Sequence, residues 1–306
     1  MADIRFGVTY SERKDFSDLP DYARRVEELG LDSIWVTENI TSNAPALECF
    51  TSMSFMAAHT SRLTIGTSVL LLPLRNPVLV AQTVNSLDVL SGGRVVLGVG
   101  VGNAGPDFDA YGGDSHQRAG RADESLEIIK RLWTESSVTH DGKHFHLKDY
   151  TLVPRPLQKP HPPIQVGGSA DAVLRRAGRF ADALVPVGKT PEQAKSLFEK
   201  TEAYARECGR DPSSMARVMH IFMCLTGSRE ESSRISGEVL TERYQGSTAL
   251  AAGGPFLFGT PEEASRVVQD FVDIGVKEFV FNMTCRPEEA ISQVETFATE
   301  IMPRWR

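Results

Sequence analysis

The chain has 306 residues, of which 41% are hydrophobic and 24% are charged, and its 33 basic and 40 acidic side chains leave a net charge of -7. This composition is typical of a soluble globular protein and excludes a disordered chain and a small disulfide scaffold. Nucleic acid is not expected as a partner, because phosphate binding needs clustered Lys and Arg. No apolar run approaches the ~18 residues of a membrane span, and the first residues lack a signal-peptide pattern. We therefore expect no membrane contact and a cytoplasmic location.

Eight apolar, β-branched runs alternate with segments of helical period along the chain. In chain order the runs are Ile4 to Thr9, Ser33 to Thr37, Leu63 to Ser68, Arg94 to Gly100, Ile164 to Val166, Ala183 to Val187, Arg217 to Leu225 and Glu278 to Phe281. Alternating strands and helices predict parallel strands joined by right-handed crossovers, and eight such units predict a closed (β/α)8 TIM barrel. We expect one domain over residues 1–306, with an open doubly wound sheet as the structural alternative.

Helix patterns lie between these runs and are marked by Pro near their starts and Gly near their ends. The first follows Ser17 or Asp18 and ends at Gly30, and the second covers Leu47 to His59. Later helices begin near Pro77, Gln117, Ala170, Pro191, Ser228 and Pro287, with an additional one from Pro261 to Ile274.

Two insertions follow the predicted strands 4 and 7. They are the polar loop Gly102 to Gln117 and the Ala/Gly-rich stretch Gly246 to Gly254. Long loops in compact domains are often functional, so we expect the loop Gly102 to Gln117 and the insertion Gly246 to Phe258 to act as lids over the carboxyl ends of the strands. A further excursion, Thr134 to Pro163, predicts a hairpin around Asp141-Gly142, whose His140, His144 and His146 are expected to face solvent.

Gly167-Gly168-Ser169 follows the fifth predicted strand and precedes a helix. Two glycines allow a ligand to approach the backbone, the serine can cap the helix, and a helix amino end favours an anion. This pattern predicts a phosphate site, and a tight turn with a simple cap is the structural alternative. Gly98, Gly100 and Gly102 do not form a dinucleotide-binding fingerprint, because Asn103 takes the place of the third glycine and no helix starts at once.

Glu38 follows the apolar run of the second predicted strand. An acid in such a position is partly desolvated and could hold a proton near neutral pH, although a helix-capping or salt-bridged acid is the more frequent outcome.

The string Leu87-Asp88-Val89-Leu90-Ser91-Gly92-Gly93-Arg94 is the most distinctive in the chain. Others are Gly30 to Val36, Thr67-Ser68-Val69, Arg75-Asn76-Pro77, Gly98 to Gly102, Pro154-Arg155-Pro156, Gly167-Gly168 and Gly259 to Glu263. Together they closely resemble the bacterial luciferase-like monooxygenase superfamily, and within it the branch that uses the deazaflavin coenzyme F420. The resemblance extends over nearly the whole chain.

The resemblance implies a flavin or deazaflavin lying across the carboxyl ends of the barrel strands. It places a non-proline cis peptide bond between Ser68 and Val69, in a bulge behind the ring. Positions that match cofactor contacts are Ser68, Val69, Gly102 and Asn103 beside the ring, and Val166, Gly167 and Gly168 at the phosphate, where we add Ser169. Arg75 would reach the substrate or a cofactor tail, unless it caps a helix or forms a salt bridge.

The chain also departs from the family pattern at two positions. Members that dehydrogenate sugar phosphates or alcohols carry a histidine base where this chain has Asn39, and an acid where it has Asn103. Because Asn exchanges no proton at neutral pH, Glu38 becomes the leading candidate for acid–base chemistry, with solvent as the other proton source. Alcohol dehydrogenation is accordingly less favoured.

We expect F420-dependent hydride transfer to or from a small organic substrate. One alternative is a two-component monooxygenase that uses reduced FMN from a separate reductase, and another is a flavin-binding protein without turnover. A metal-dependent hydrolase is least favoured and no metal site is expected, because the predicted strand ends show no His-x-His pair or carboxylate cluster. The resemblance also suggests a homodimer packed through outer helices.

Overall fold

The computed structural model describes residues 4–10, 15–39, 46–102, 106–244 and 256–306. Its strands are β1 (Arg5–Tyr10), β2 (Ser33–Val36), β3 (Thr64–Thr67), β4 (Leu70–Leu71), β5 (Val95–Gly100), β6 (Val138–Asp141), β7 (His146–Tyr150), β8 (Ile164–Gly167), β9 (Ala183–Val185), β10 (Ala216–Leu225), β11 (Leu257–Gly259) and β12 (Glu278–Met283). Parallel pairing in the order β1-β2-β3-β5-β8-β9-β10-β12, with β12 back against β1, closes an eight-stranded barrel. The predicted TIM barrel is confirmed.

Helices surround the barrel. They are α1 (Leu19–Glu28), α2 (Cys49–His59), α3 (Pro77–Ser91), α4 (Pro106–Ala110), α5 (Arg118–Thr134), α6 (Asp171–Phe180), α7 (Pro191–Glu207), α8 (Arg229–Tyr244), α9 (Pro261–Asp273) and α10 (Ala290–Thr296). None of the helices in the described ranges is long and apolar enough to cross a membrane.

The insertions differ from the expectation in detail. The loop after β5 contains the short helix α4, and β11 adds a strand outside the barrel by pairing in parallel with β10. Neither element was predicted, because three to five residues are too few to show a period. The stretch Gly246 to Gly254 lies outside the described residues.

The hairpin β6–β7 forms around Asp141-Gly142 as predicted. The expectation that all three of its histidines face solvent is wrong for His140, whose side chain is 11% exposed and lies 3.1 Å from Glu124 Oε1. The Glu124 carboxylate also accepts hydrogen bonds from the backbone amides of His144 and Phe145, at 3.0 and 2.7 Å. One carboxylate on α5 therefore fixes the hairpin, and His140 is part of that contact.

Inside the barrel, a cluster of buried apolar side chains surrounds Trp35 and comprises Val96, Ala183, Val185, Val218 and Val280. Trp35 lies across Gly66, where an added methyl group would come within 2.3 Å of the indole ring. The ring nitrogen donates to Ser33 Oγ at 2.8 Å, so the buried donor is satisfied. This packing closes the lower part of the barrel and confines a ligand to the carboxyl ends of the strands.

The distinctive string from Leu87 to Arg94 has a structural role. Gly92 ends α3 in the left-handed conformation at φ 75°. Buried Asp88 accepts hydrogen bonds from the backbone amides of Leu157 and Gln158 at 2.7 and 3.0 Å, which fixes the proline-rich segment 153–163 to α3. Arg94 donates to the carbonyl oxygens that end α2 and precede β3, Ala57, Thr60 and Leu63, at 2.8 to 3.1 Å. The string therefore joins the end of α3 to its neighbours.

Replacing Arg94 with Met is expected to lower the free energy of unfolding by about 3 kcal/mol, because it leaves several part-buried carbonyl oxygens without a donor. Arg94→Lys should recover little of this free energy, since an ammonium group cannot donate several hydrogen bonds in one plane as a guanidinium does. Urea denaturation measures the effect. The matched control is Arg131→Met, which removes a surface pair with Glu135 and should cost less than about 1 kcal/mol. Equal losses in the two Met variants would contradict this assignment.

Candidate functional site

The carboxyl ends of the barrel strands form a mouth with two distinct sides. In the closed order β1-β2-β3-β5-β8-β9-β10-β12, β8 lies opposite β1, and β3 lies opposite β10. Between β3 and β4 the chain leaves the sheet for two residues, Ser68 and Val69, which we call the bulge. The peptide bond between them is cis, as expected.

Val69 of the bulge packs between two glycines at strand ends. A methyl group added at Gly100 would lie 2.7 Å from Val69 Cγ2, and one at Gly167 would lie 2.7 Å from Val69 Cγ1. Real Cβ atoms do not approach other carbons this closely, so any larger residue at either glycine displaces the valine. The glycine at 167, which the sequence suggested for contact with a ligand, thus makes room for Val69.

Glu38 fastens the bulge to β2. Its backbone amide donates to Val69 O at 3.2 Å, and its carboxylate accepts the Leu71 amide at 2.6 Å and the Arg75 guanidinium. Arg75 also donates to Glu48 at 3.0 Å. Both oxygens of Glu38 and the guanidinium of Arg75 are therefore bound within the protein, which is the salt-bridged arrangement that the sequence left open. Asn39, which follows, is half-buried.

The turn after β8 differs from the expected cap. The N-cap of α6 is Ala170 and not Ser169, so the prediction that Ser169 caps this helix is wrong. The Gly168 amide donates to Val185 O at 3.2 Å, and Val166 is buried within the sheet, so the backbone donors still open to a ligand begin at Ser169. Within the described residues the Ser169 hydroxyl forms no hydrogen bond. These donors at the start of a helix suit a phosphate.

Asp171, in the first turn of α6, does not block this site. Lys200, Tyr204 and Arg175 bind its carboxylate at 2.5, 2.7 and 2.9 Å, and hydrogen bonds from these three, above all from Lys200, hold the pKa of Asp171 well below its usual range. Two cations thus surround the one acid at the helix start, and an anion can still approach.

His220 is a site residue that the sequence analysis missed. It lies on β10, faces the barrel interior at 4% exposure, and its Nδ1 is 2.9 Å from Ser68 Oγ across the barrel. Burial, with a smaller contribution from the charge of Arg243, lowers the pKa of His220 from 6.5 to about 4. A lone polar residue between Val218 and Phe222 on the inward face of an apolar strand was the available signal.

A pocket lies on the side of the mouth away from β8, at the ends of β1, β2 and β12. It is lined by Tyr10, Phe16, Val36, Thr37, Ala46, Leu47, Ser52 and Asn282. The lining that the structure describes contains no Lys, Arg, His, Asp or Glu. Over the same described ranges, no three His, Cys, Asp or Glu side chains come together in a way that could hold a metal ion.

Two predicted residues of the loop after β5 have different outcomes. Gly102 has a φ of 69° and lies against Leu71, so it borders β4, the strand that follows the bulge. Asn103 lies outside the described residues.

The family model for luciferase-like monooxygenases matches residues 1–297. The chain belongs to this family. Among its relatives, the F420-dependent glucose-6-phosphate dehydrogenase of Microbacterium testaceum (strain StLB037) is 28% identical, and the match covers 99% of this chain and 98% of the relative. The enzyme of the same name from Kineococcus radiotolerans is also 28% identical, over 94% of this chain and 93% of the relative.

Solved structures share the luciferase-like fold over the full length. An F420-dependent secondary alcohol dehydrogenase in complex with an F420-acetone adduct has a TM-score of 0.84 at 24% identity, covering 99% of both chains. A monooxygenase from Streptomyces bottropensis has a TM-score of 0.85 at 22% identity, covering 99% of this chain and 100% of that one. At these identities the similarity establishes the luciferase-like barrel fold. The chemistry has to be inferred from the residues of the site.

Proposed function

We propose that this luciferase-like protein is an F420-dependent oxidoreductase that transfers hydride to or from a small, uncharged organic substrate. The observation that carries the proposal is the arrangement of the mouth. The bulge forms a wall between a phosphate-suited helix start after β8 and a pocket on the opposite side, at β1, β2 and β12. Relatives named as F420-dependent dehydrogenases match over nearly the whole chain and support the choice of cofactor.

The residues present suit a deazaflavin with a phosphate-bearing tail. Ser169 and the first amides of α6 would bind the phosphate, and Val69 with Ser68 would support the ring, with Gly102 at its edge. When bound, F420 supplies the hydride chemistry and the protein supplies orientation and electrostatics. Glu38 and Arg75 act by holding the bulge in place. Because both Glu38 oxygens are bound within the protein, we assign the proton to solvent that enters the mouth.

The pocket favours an uncharged substrate over a sugar phosphate. Proteins bind phosphate groups through Lys and Arg or through the free backbone amides of a helix start. The described lining of the pocket has no Lys or Arg, and α2, which begins beside it, is already capped by the carboxylate of Glu48. Its hydroxyls are also occupied, since Thr37 donates to Ser68 O at 3.1 Å and Ser52 to Glu48 O at 3.0 Å. Asn39, in place of a histidine base, further disfavours the chemistry named for the glucose-6-phosphate relatives.

Titration of the purified protein with F420 and with FMN tests the cofactor. We expect saturable F420 binding by fluorescence and at least tenfold weaker binding of FMN, a discrimination of about 1.4 kcal/mol. With reduced F420 bound, small ketones or imines are expected to be reduced while the cofactor is oxidised. With oxidised F420 bound, glucose 6-phosphate is expected to leave the cofactor oxidised. Tight FMN binding with no response to F420 would overturn the proposal in favour of a monooxygenase, and F420 binding with no turnover of any substrate class would favour a binding protein.

Replacing Gly167 with Ala is expected to weaken F420 binding by more than about tenfold, because the new methyl group displaces Val69 from behind the ring. Fluorescence titration measures the affinity, and urea denaturation reports the accompanying loss of stability, about 1 to 3 kcal/mol. The control is Gly227→Ala, where nothing lies within 4 Å of the added methyl group. An unchanged affinity in Gly167→Ala would show that Val69 does not support the ring.

We further propose a homodimer that packs through α2 and α3. Large apolar side chains are exposed on these helices and on the segment 153–163 packed against α3, namely Phe55, Leu79, Leu90, Val153 and Leu157. Light scattering after size-exclusion chromatography is expected to give twice the mass of 33.6 kDa, and Leu90→Glu to give the monomer. A wild-type monomer would contradict this arrangement.

We also propose that a separate reductase supplies the reduced cofactor. An activity assay with and without such a reductase tests this proposal.

A further inference from the structure

We propose that His220 is a positioning residue, which holds the Ser68 hydroxyl from across the barrel and so fixes the bulge that supports the redox ring. The inference rests on the proposed function, since it concerns the same mouth. It assigns a role to a side chain that lies 152 positions from its partner in the sequence.

The contact between His220 and Ser68 crosses the barrel interior. Because β10 lies opposite β3 in the closed strand order, their side chains can meet only through the centre of the barrel. The pair borders the apolar cluster around Trp35, since His220 pairs with Val280 of β12 and follows Val218 on β10, and both valines belong to that cluster. Nδ1 of His220 and Oγ of Ser68 are 2.9 Å apart, and both residues are at most 5% exposed. A hydrogen bond in such a dry place is costly to lose.

Ser68 is held from two opposite directions. On the β2 side, its amide donates to Val36 O at 2.7 Å and its carbonyl oxygen accepts from Thr37 Oγ1 at 3.1 Å. On the far side, its hydroxyl is bound by His220. Removing the imidazole leaves the backbone hydrogen bonds between Ser68 and β2 but breaks the one to the Ser68 side chain. The backbone of the bulge is then expected to follow the same path, with greater freedom of movement on the side facing β10.

The surroundings of His220 favour this role over proton donation. Among the described residues, the charged group that acts on His220 is Arg243 of α8, whose guanidinium binds Asn282 Oδ1 at 3.0 Å and Met283 O at 3.2 Å. Because burial lowers the pKa of His220 to about 4, the imidazole is uncharged at pH 7. It therefore acts as a neutral hydrogen-bonding partner of Ser68 and not as the acid of the reaction.

Four variants test the assignment through F420 affinity, measured by fluorescence without any turnover. His220→Leu and Ser68→Ala each remove the hydrogen bond, and each is expected to weaken binding about tenfold. The double variant His220→Leu/Ser68→Ala should also lose about tenfold and not a hundredfold, because both changes break one interaction. His220→Asn places an amide near the position of Nδ1 and is expected to bind within about twofold of wild type.

Met219→Leu is the matched control, because this neighbour on β10 is equally buried and faces the outer core. It should leave F420 affinity unchanged. Circular dichroism confirms that each variant is folded, and His220→Asn covers the case in which His220→Leu does not fold. Any of three results overturns the assignment. They are wild-type F420 affinity in His220→Leu, a loss of affinity in the double variant equal to the product of the two single losses, and a loss in His220→Asn equal to that in His220→Leu. Failure of the wild type itself to bind F420 instead overturns the proposed function.

Discussion

Lowering the pH from 7.5 to 4.0 is expected to cost the wild-type protein about 3 kcal/mol more of its free energy of unfolding than it costs the His220→Asn variant. The reason is the depressed pKa of His220, which falls from 6.5 to about 4 because the ring is buried and faces Arg243. Between pH 6.5 and pH 4, the imidazole of His220 is protonated in the unfolded chain but stays neutral in the folded protein. Stability is therefore complete above pH 6.5 and declines as the pH falls towards 4.

Urea denaturation followed by tryptophan fluorescence, repeated across this pH range, measures the effect. Other groups, such as the tightly bound carboxylate of Asp171, also contribute to acid destabilisation. Asn does not titrate, so the difference between the two proteins isolates His220. Parallel pH dependences in wild type and variant would mean that the ring already accepts a proton in the folded state, and the buried, neutral form assigned here would be wrong.

Replacing Gly98 with Ala is expected to abolish folding, with a loss of at least about 3 kcal/mol. A methyl group on this inward-facing position of β5 would lie 1.9 Å from the carbonyl oxygen of Thr67. The two residues are already interlocked, since Thr67 Oγ1 donates to Gly98 O at 2.7 Å and accepts the Gly98 amide at 3.0 Å. Because the obstacle is backbone, no side-chain rotation relieves it.

Soluble expression and the urea midpoint measure this change. Gly227→Ala is again the control, and it should be soluble and within about 0.5 kcal/mol of wild type, because its added methyl group meets open space. A soluble Gly98→Ala protein with a wild-type midpoint would show that β3 and β5 can separate at this point, contrary to the register Gly66↔Val96.

The barrel was predictable because its strands are buried on both faces and read as apolar runs bounded by Gly and Pro. Each of the eight predicted strands lies within two residues of the observed one at either end. The hairpin at Asp141-Gly142 was predicted from its turn residues. What escaped were elements too short to carry a period, such as β11, and the burial of His140, which depends on Glu124 of a different element.

The site was less predictable from the sequence. Its contacts depend on how neighbouring strands are aligned around the closed barrel, and local sequence patterns do not specify that alignment. The sequence places a glycine at 167, but only the structure shows Val69 beside it. Likewise, Glu38 was expected to be available for acid–base chemistry. In the structure, both of its carboxylate oxygens accept hydrogen bonds, one from the Leu71 amide and one from the Arg75 guanidinium. The pairing of Ser68 with His220 joins strands on opposite sides of the barrel, which no local pattern can reveal.

The packing of Val69 between Gly100 and Gly167 has a consequence for redesign. Three positions on separate strands or loops share one fixed volume, so none of them can be enlarged alone. A library that randomises them singly will return mostly inactive clones. Compensating pairs, in which residue 69 shrinks as a glycine gains a methyl group, keep the total volume constant and offer a route to reshaping the wall of the mouth.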